Sequence, residues 1–280
     1  MKIGIVTDNT ANLPKNFVEG NDIGVVSLYI MKKGVYSRAV ELAPAKYYNE
    51  LRRLDYVPST SQPSPLDFER MYIEKLKKYD AIVSVHISGK LSGTVDTANM
   101  AARAVGGRII VVDSKLTSWG LGFLVMELTN LIKNGADLDT VVNFAASFEP
   151  TVTTYFTVND LDHLYKGGRI GKARTLVGKI ANIRPILRLK NGEILPAGTA
   201  RGKEKLLTTL VKRSLSRLTS ENIKRVAVVH TEDVKSAGKL KEMLRPYVND
   251  NGAKLFVDTC DVIIGTHLGP GAVGIIVQWG

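Results

Sequence analysis

The sequence predicts a two-domain α/β protein, and three observations carry that expectation. Short β-branched runs alternate with helix-forming stretches over the first 150 residues, the pattern changes at Thr151, and 280 residues exceed what one hydrophobic core usually organises. Residues 1–150 are expected to form a three-layer α/β domain with a parallel sheet. Residues 151–280 are expected to form an α+β domain with a mixed or antiparallel sheet.

Ile3-Gly4-Ile5-Val6-Thr7 is the first strand, ending at Asp8-Asn9-Thr10, with Asn12, Pro14 and Asn16 continuing as turn and cap chemistry. Gly24 to Met31 is a second strand. Pro44 to Leu54 carries Tyr47, Tyr48 and Leu51 on one side and is a helix. Pro58-Ser59-Thr60-Ser61-Gln62-Pro63-Ser64-Pro65 is extended by its three prolines, and Ser64, Pro65 and Asp67 open the next helix as cap, first-turn proline and acidic third position. Thr60, Ser61 and Gln62 lie too far upstream to serve that cap, so they are either a solvated linker or hydroxyls held stiffly for a ligand.

Ala81 to Ile87 is a buried strand and Val95 to Val105 a helix, which sets Ser88-Gly89-Lys90-Leu91-Ser92-Gly93-Thr94 at a strand-to-helix junction. A helix N-terminus has unpaired amides and partial positive charge, so this loop is a candidate anion seat, although serine and threonine there also serve as plain caps. It is not a Walker loop, because the G-x-x-x-x-G-K-[S/T] spacing is absent. Arg108 to Val112 is a further strand, and Trp119 to Asn134 a strongly apolar helix closed by Asn134-Gly135. Strands alternating with helices imply parallel pairing by right-handed crossovers, which gathers the loops after the strands along one sheet edge.

In the second half, Arg184 to Leu189 and Glu193 to Gly198 face each other across Asn191-Gly192, a hairpin signal. Helices Lys203 to Leu218 and Val234 to Tyr247 alternate with strands Arg225 to His230 and Lys254 to Thr259. Val262 to Gly280 has no formal charge, but its glycines, Pro270 and His267 mark a glycine-broken loop followed by a buried strand, Ala272 to Trp279, and not a membrane span.

The formal charge of +11 would suit an anionic partner, yet no zinc-finger spacing, RNP-like motif or helix-turn-helix accompanies it, so nucleic acid is not expected. Lys166 to Lys190 holds eight basic residues and no acidic one, patterned with apolar residues as an ordered surface. Met1-Lys2 leads straight into a strand, and the single Cys260 cannot form an internal disulfide, which points to the cytoplasm. His86, His163 and His230 have ordinary structural surroundings. His267 stands apart in Gly265-Thr266-His267-Leu268-Gly269-Pro270-Gly271, where imidazole can donate to an anion. No His or Cys pair has metal-ligand spacing, so neither a metal nor another cofactor is expected, and no G-x-S-x-G elbow supports a serine hydrolase.

Six stretches together resemble the DegV family of fatty-acid-binding proteins: Ile5 to Pro14, Thr60 to Ser64, Leu91 to Thr94, Val112 to Lys115, Lys166-Gly167-Gly168-Arg169-Ile170, and Gly265 to Gly271. The resemblance implies a DegV-like non-enzyme that binds one long-chain fatty acid between its domains, with the tail in an apolar tunnel. Thr60 and Ser92 match the family's carboxylate ligands, with Ser61 and Gly93 beside them, and His267 matches its histidine near the carboxyl group. Arg169, in the K-G-G-R-I pattern, is a possible ligand contact. The resemblance further implies a separate fatty acid kinase that phosphorylates the bound acid, docking near Arg201 in Thr199-Ala200-Arg201-Gly202-Lys203. The family usually has serine where this chain has Asn9 and aspartate where it has Asn12; asparagine still donates and accepts hydrogen bonds, so the turn is expected to survive. The rival expectation is an enzyme, a phosphotransferase or a hydrolase using Ser92.

Overall fold

The computed structural model describes residues 1–176 and 183–280. In chain order the first part contains β1 (Ile3–Asp8), α1 (Lys15–Gly20), β2 (Gly24–Val26), β3 (Tyr29–Lys32), β4 (Val35–Arg38), α2 (Pro44–Leu51), β5 (Ser59–Ser61), α3 (Pro65–Leu76) and β6 (Ala81–His86). There follow α4 (Thr94–Val105), β7 (Ile109–Asp113), α5 (Ser118–Lys133), α6 (Leu138–Ser147), β8 (Val152–Thr157) and α7 (Asp162–Lys166). The remainder is β9 (Ile183–Lys190), β10 (Glu193–Arg201), α8 (Lys203–Ser214), β11 (Ile223–His230), α9 (Val234–Asp250), β12 (Lys254–Thr259), α10 (Val262–Leu268) and β13 (Val273–Trp279). Two compact units result, one of residues Met1–Glu41 and Thr60–Glu149, the other of Leu42–Ser59 and Pro150–Gly280. Helix α2 therefore belongs to the second unit although it lies within the first 150 residues.

The first unit is built on a parallel sheet of order β2-β1-β6-β7. Val6 packs with Phe68 and Tyr72 of α3 and with Ala98 and Ala101 of α4, so the even-numbered side chains of β1 face those helices. By the two-residue period of a strand, Ile5 and Thr7 face the other way, where α5 packs against β1. Helix α5 is largely apolar because it is covered all round, every residue from Ser118 to Thr129 being buried, Glu127 included. Ser64 and Asp67 form the expected capping box, with Pro65 in the first turn of α3.

One buried carboxylate joins the two central strands. Asp8 accepts hydrogen bonds from the amide of Thr10 at 3.0 Å and from its hydroxyl, and on its other oxygen from His86 Nδ1 at 3.0 Å and the Ile87 amide at 2.9 Å. Behind it, His86 Nε2 is 2.7 Å from Ser84 Oγ, which is 2.8 Å from Tyr72 OH. A carboxylate only accepts, so a neutral His86 ring presents Nδ1–H to Asp8 and accepts at Nε2 from Ser84, which in turn accepts from Tyr72, whose proton burial holds in place. His86 is thus a satisfied core histidine, as expected from its sequence surroundings.

The second unit carries a sheet of order β10-β9-β8-β13-β11-β12, antiparallel except for the β11–β12 pair. Helices α8 and α9 cover one face, Leu206, Leu210, Leu240 and Leu244 meeting Val226, Val228, Ile275 and Val277. Asn191 (φ 52°) and Gly192 (φ 77°) make the β9–β10 turn with the left-handed geometry such a two-residue hairpin requires. No helix among the described residues is long and apolar enough to cross a membrane.

Two sequence expectations are corrected, and one element is added to them. The run Gly24 to Met31 is two strands in different sheets, β2 beside β1 and β3 in a small sheet of order β4-β3-β5. Val35–Arg38, to which the sequence alone assigns no element, is the antiparallel partner β4 of β3. The stretch before the last strand is not a glycine-broken loop: Val262–Leu268 is a helix capped by Asp261, whose side chain accepts from the Ile263 amide at 2.8 Å.

Replacing Asp8 by alanine strands four donors, two of them at the end of β6 where the chain enters the Ser88–Thr94 loop. Urea unfolding of Asp8→Ala should show a loss of about 3 to 5 kcal/mol, and a loss below about 1 kcal/mol would contradict the buried network.

Candidate functional site

The Ser88–Thr94 loop is anchored at both ends. At its start, Asp8 holds the Ile87 amide, Ser88 N donates to Leu116 O at 2.9 Å, and Gly89 N donates to the Asp113 carboxylate at 3.1 Å. Ser88 O then accepts from the amides of Leu91 (2.9 Å) and Ser92 (3.1 Å), closing a tight turn. At its end, Gly93 is the N-cap of α4, and no side chain caps that helix. A first helical turn without a capping side chain keeps its positive end available to an anion. Ser92 is therefore not a cap: its Oγ lies 2.8 Å from Thr94 Oγ1, leaving two adjoining hydroxyls beside the helix end.

Thr60 and Ser61 sit in β5, both partly exposed, with Ser61 Oγ donating to Gln62 O at 3.2 Å. The next residue joins this segment to the loop. Gln62 Nε2 donates to Thr97 Oγ1 at 2.8 Å, and its amide lies so close to Gly93 that a Cβ there would stand 2.3 Å from Gln62 Oε1. Gly93 leaves room for the Gln62 amide, and that approach lays the Thr60–Gln62 segment beside the N-terminus of α4. The structure brings the Thr60–Ser61 segment and the Ser92–Gly93 loop together through Gln62, a residue that sequence reasoning named only as part of the stiff segment. Asn9 and Asn12 hold structural places in the same unit: Asn9 Oδ1 accepts from Leu28 N at 2.7 Å, and Asn12 adopts the left-handed conformation (φ 56°) that asparagine tolerates.

In the second unit the glycine-rich motifs are a packing code. Tyr48 OH donates to Cys260 O at 2.8 Å and occupies the place where a Cβ on Gly265 would be. Tyr47 OH is hydrogen-bonded to Thr266 Oγ1, and His163 Nδ1 is 2.8 Å from Thr266 O. Gly167 makes room for His267, since a Cβ there would stand 2.3 Å from Nδ1. Gly269 and Gly271 have φ of 73° and 82°, their missing Cβ positions filled by His163 and Asn159, and Thr231 holds Gly269 O and the Ala272 amide at 2.6 and 2.8 Å. His267 is the penultimate residue of α10, partly buried, with Nδ1 shielded from solvent.

Burial, then the positive charge of Arg169 and then His163, push the His267 pKa down to about 4. At neutral pH the ring is an uncharged donor and acceptor, able to offer an anion a hydrogen bond and no charge. Arg169 folds back on its own motif, donating from NH1 to Gly167 O at 2.7 Å. Arg201 lies elsewhere in this unit, lining a cleft of about 780 Å³ with Asn159, Ile183, Arg184, Gly202 and Lys203. Lys203 also pairs with Asp233 at 3.1 Å. Of the basic block, Lys179 lies outside the described residues.

The family model described as "Uncharacterised protein, DegV family" matches residues 2–279. A DegV domain-containing protein of Deinococcus radiodurans is 35% identical over 286 residues, 99% of each chain. A solved structure described as fatty acid binding of a DegV family protein from Thermus thermophilus matches with a TM-score of 0.93 at 33% identity over 100% of both chains. The crystal structure of DegV, a fatty acid binding protein from Bacillus subtilis, matches with a TM-score of 0.89 at 29% identity, again over 100% of both chains.

An imidazole that protonates near pH 4 in the folded chain and near 6.5 in the unfolded one makes unfolding take up a proton in that window, so stability should fall as pH drops through it. Urea unfolding should lose about 2 kcal/mol more between pH 7 and pH 5 in the wild type than in His267→Asn. Equal losses would show that His267 is not held neutral.

Proposed function

The chain belongs to the DegV family, and from that premise we propose that it is a non-catalytic carrier of one long-chain fatty acid, its carboxylate held by Thr60 and Ser92. Ser61, the amide of Gly93 and His267 assist. The observation that supports this reading is the docking of Gln62 on Gly93, which lays two hydroxyl-bearing segments along the uncapped end of α4. A carboxylate accepts several hydrogen bonds at once, and neutral donors at a helix N-terminus stabilise it without a formal counter-charge. The acyl chain supplies most of the affinity, about 0.8 kcal/mol for each buried CH₂.

Presentation of the bound acid to a separate fatty acid kinase, forming an acyl phosphate, is the second part of the proposal. Arg201 with Arg184 in the cleft of the second unit offers cationic groups to an acidic partner surface. The rival reading, a hydrolase using Ser92, gains nothing from the hydroxyl's partner, because Ser92 Oγ is bonded to Thr94 and the core histidine His86 is committed to Asp8 and Ser84.

Native mass spectrometry of the purified protein should show one fatty acid adduct, or uptake of one palmitate or oleate by the empty form. Protein that is empty and refuses both acids would refute the carrier. Thr60→Val combined with Ser92→Ala should weaken palmitate binding about 100-fold or more, and unchanged affinity would remove those residues from the site. Arg201→Glu should leave palmitate affinity within about twofold while abolishing acyl-phosphate formation by an added fatty acid kinase; undiminished formation would place the partner surface elsewhere.

A further inference from the structure

Among the described residues of the first unit, three buried hydroxyls make no internal hydrogen bond, two at the N-terminus of α5 and one on the face of β1 that packs against that helix. Thr117 is the N-cap of that 16-residue helix, yet its hydroxyl makes no capping bond. Thr117 Oγ1, Ser118 Oγ and Thr7 Oγ1 are all buried, without a hydrogen-bond partner among the described residues. Ser118 is 5% exposed and Thr7 0%, so bulk water does not satisfy them. Thr7 lies on the face of β1 turned toward α5, one residue before Asp8. Buried polar groups in folded proteins are nearly always paired, so hydroxyls that folding leaves over indicate a ligand or an ordered water.

The backbone makes the same point from another side. Ser118 adopts φ 53°, a left-handed conformation unfavourable for a residue with a Cβ and comfortable for glycine. The chain therefore keeps a side chain that costs backbone energy and satisfies no internal partner. Its place is near the loop already described: Ser88 N donates to Leu116 O, and Asp113 holds the amides of Gly89 and Lys115 at 3.1 and 2.9 Å. The start of α5 and the Ser92 loop are thereby braced together at one edge of the sheet.

We propose that the N-terminus of α5, with Ser118, Thr117 and Thr7, is a second seat for a carboxylate oxygen in the first unit, taking either the headgroup of the bound acid or a free short carboxylate. This deepens the carrier reading and rests on it only for the first of those two sources. The chemistry follows from the donor set: hydroxyls and first-turn amides with no cation among the residues named, which suits a carboxylate oxygen better than a doubly charged phosphate.

Ser118→Gly is the informative variant, because it removes the hydroxyl while relieving the backbone. Its urea midpoint should equal or exceed that of the wild type, which separates lost ligand contact from lost folding, and Thr117→Val is the companion. Calorimetric titration with sodium palmitate should show affinity about tenfold weaker in Ser118→Gly, with 1-hexadecanol binding changed less than twofold, if the headgroup is the occupant. Titration with sodium acetate, followed by amide NMR shifts at Thr117 and Ser118 that vanish in Ser118→Gly, would assign the seat to a free carboxylate. Unchanged palmitate affinity together with no acetate response in the wild type would overturn the proposal. If the wild type binds no palmitate, the carrier reading falls on its own and the acetate titration still decides this seat.

Discussion

The arrangement of the first unit depends on one carboxylate. Asp8 stands at the end of the central strand and receives donors from the turn that follows it and from the neighbouring strand. In a water-free environment each of those donors would otherwise be left unpaired, at a cost of about 1 to 3 kcal/mol apiece. A parallel sheet gathers its loops at one edge but does not by itself fix their height or angle. Asp8 does so for the loop that leaves β6, because it binds the amide of Ile87, the residue immediately before Ser88. The position of Ser92 and of the uncapped end of α4 follows from a residue that touches neither.

What was legible in the sequence was local. The capping box at Ser64, the Asn191-Gly192 turn and the alternation of strands and helices each depend on residues within a few positions of one another, and all are present in the fold. The division of Gly24 to Met31 between two sheets has no such signal, since all its residues suit a strand and only the partner differs. Helix α10 was illegible for a related reason. Gly265 looks like a helix breaker until Tyr48, distant in sequence, fills the space its side chain would take. Glycine inside a helix is then a packing requirement, and the flexibility it suggests is not used.

The same reasoning sorts the motifs that most resemble ligand sites. In Lys166 to Ile170 and Gly265 to Gly271 four of the five glycines face a named group, Gly167 the His267 ring, Gly265 the Tyr48 hydroxyl, Gly269 the His163 ring and Gly271 the Asn159 amide, while Gly168 is kept by its φ of 72°. These motifs hold the second unit's histidines and asparagine in place, and much of their regularity is explained by that work. In the first unit, Gly93 admits Gln62, whereas the hydroxyls of Thr7, Thr117 and Ser118 are not explained by packing or by internal hydrogen bonding. A glycine whose missing side chain is occupied by a neighbour has a structural account. A buried hydroxyl with nothing to bond has none within the fold.

His267 of the second unit is an uncharged donor as well. Burial and the charge of Arg169 keep it neutral at pH 7, so it adds a dipole without adding a positive charge. Threonine and serine hydroxyls and helix amides do the same in the first unit. An acid bound only by neutral donors gains less from electrostatics than one bound by arginine, and its affinity then depends more on the apolar chain. On the carrier reading, discrimination falls on the length and shape of the chain, since any carboxylate satisfies neutral donors equally and short acids lack the buried methylenes that make binding strong.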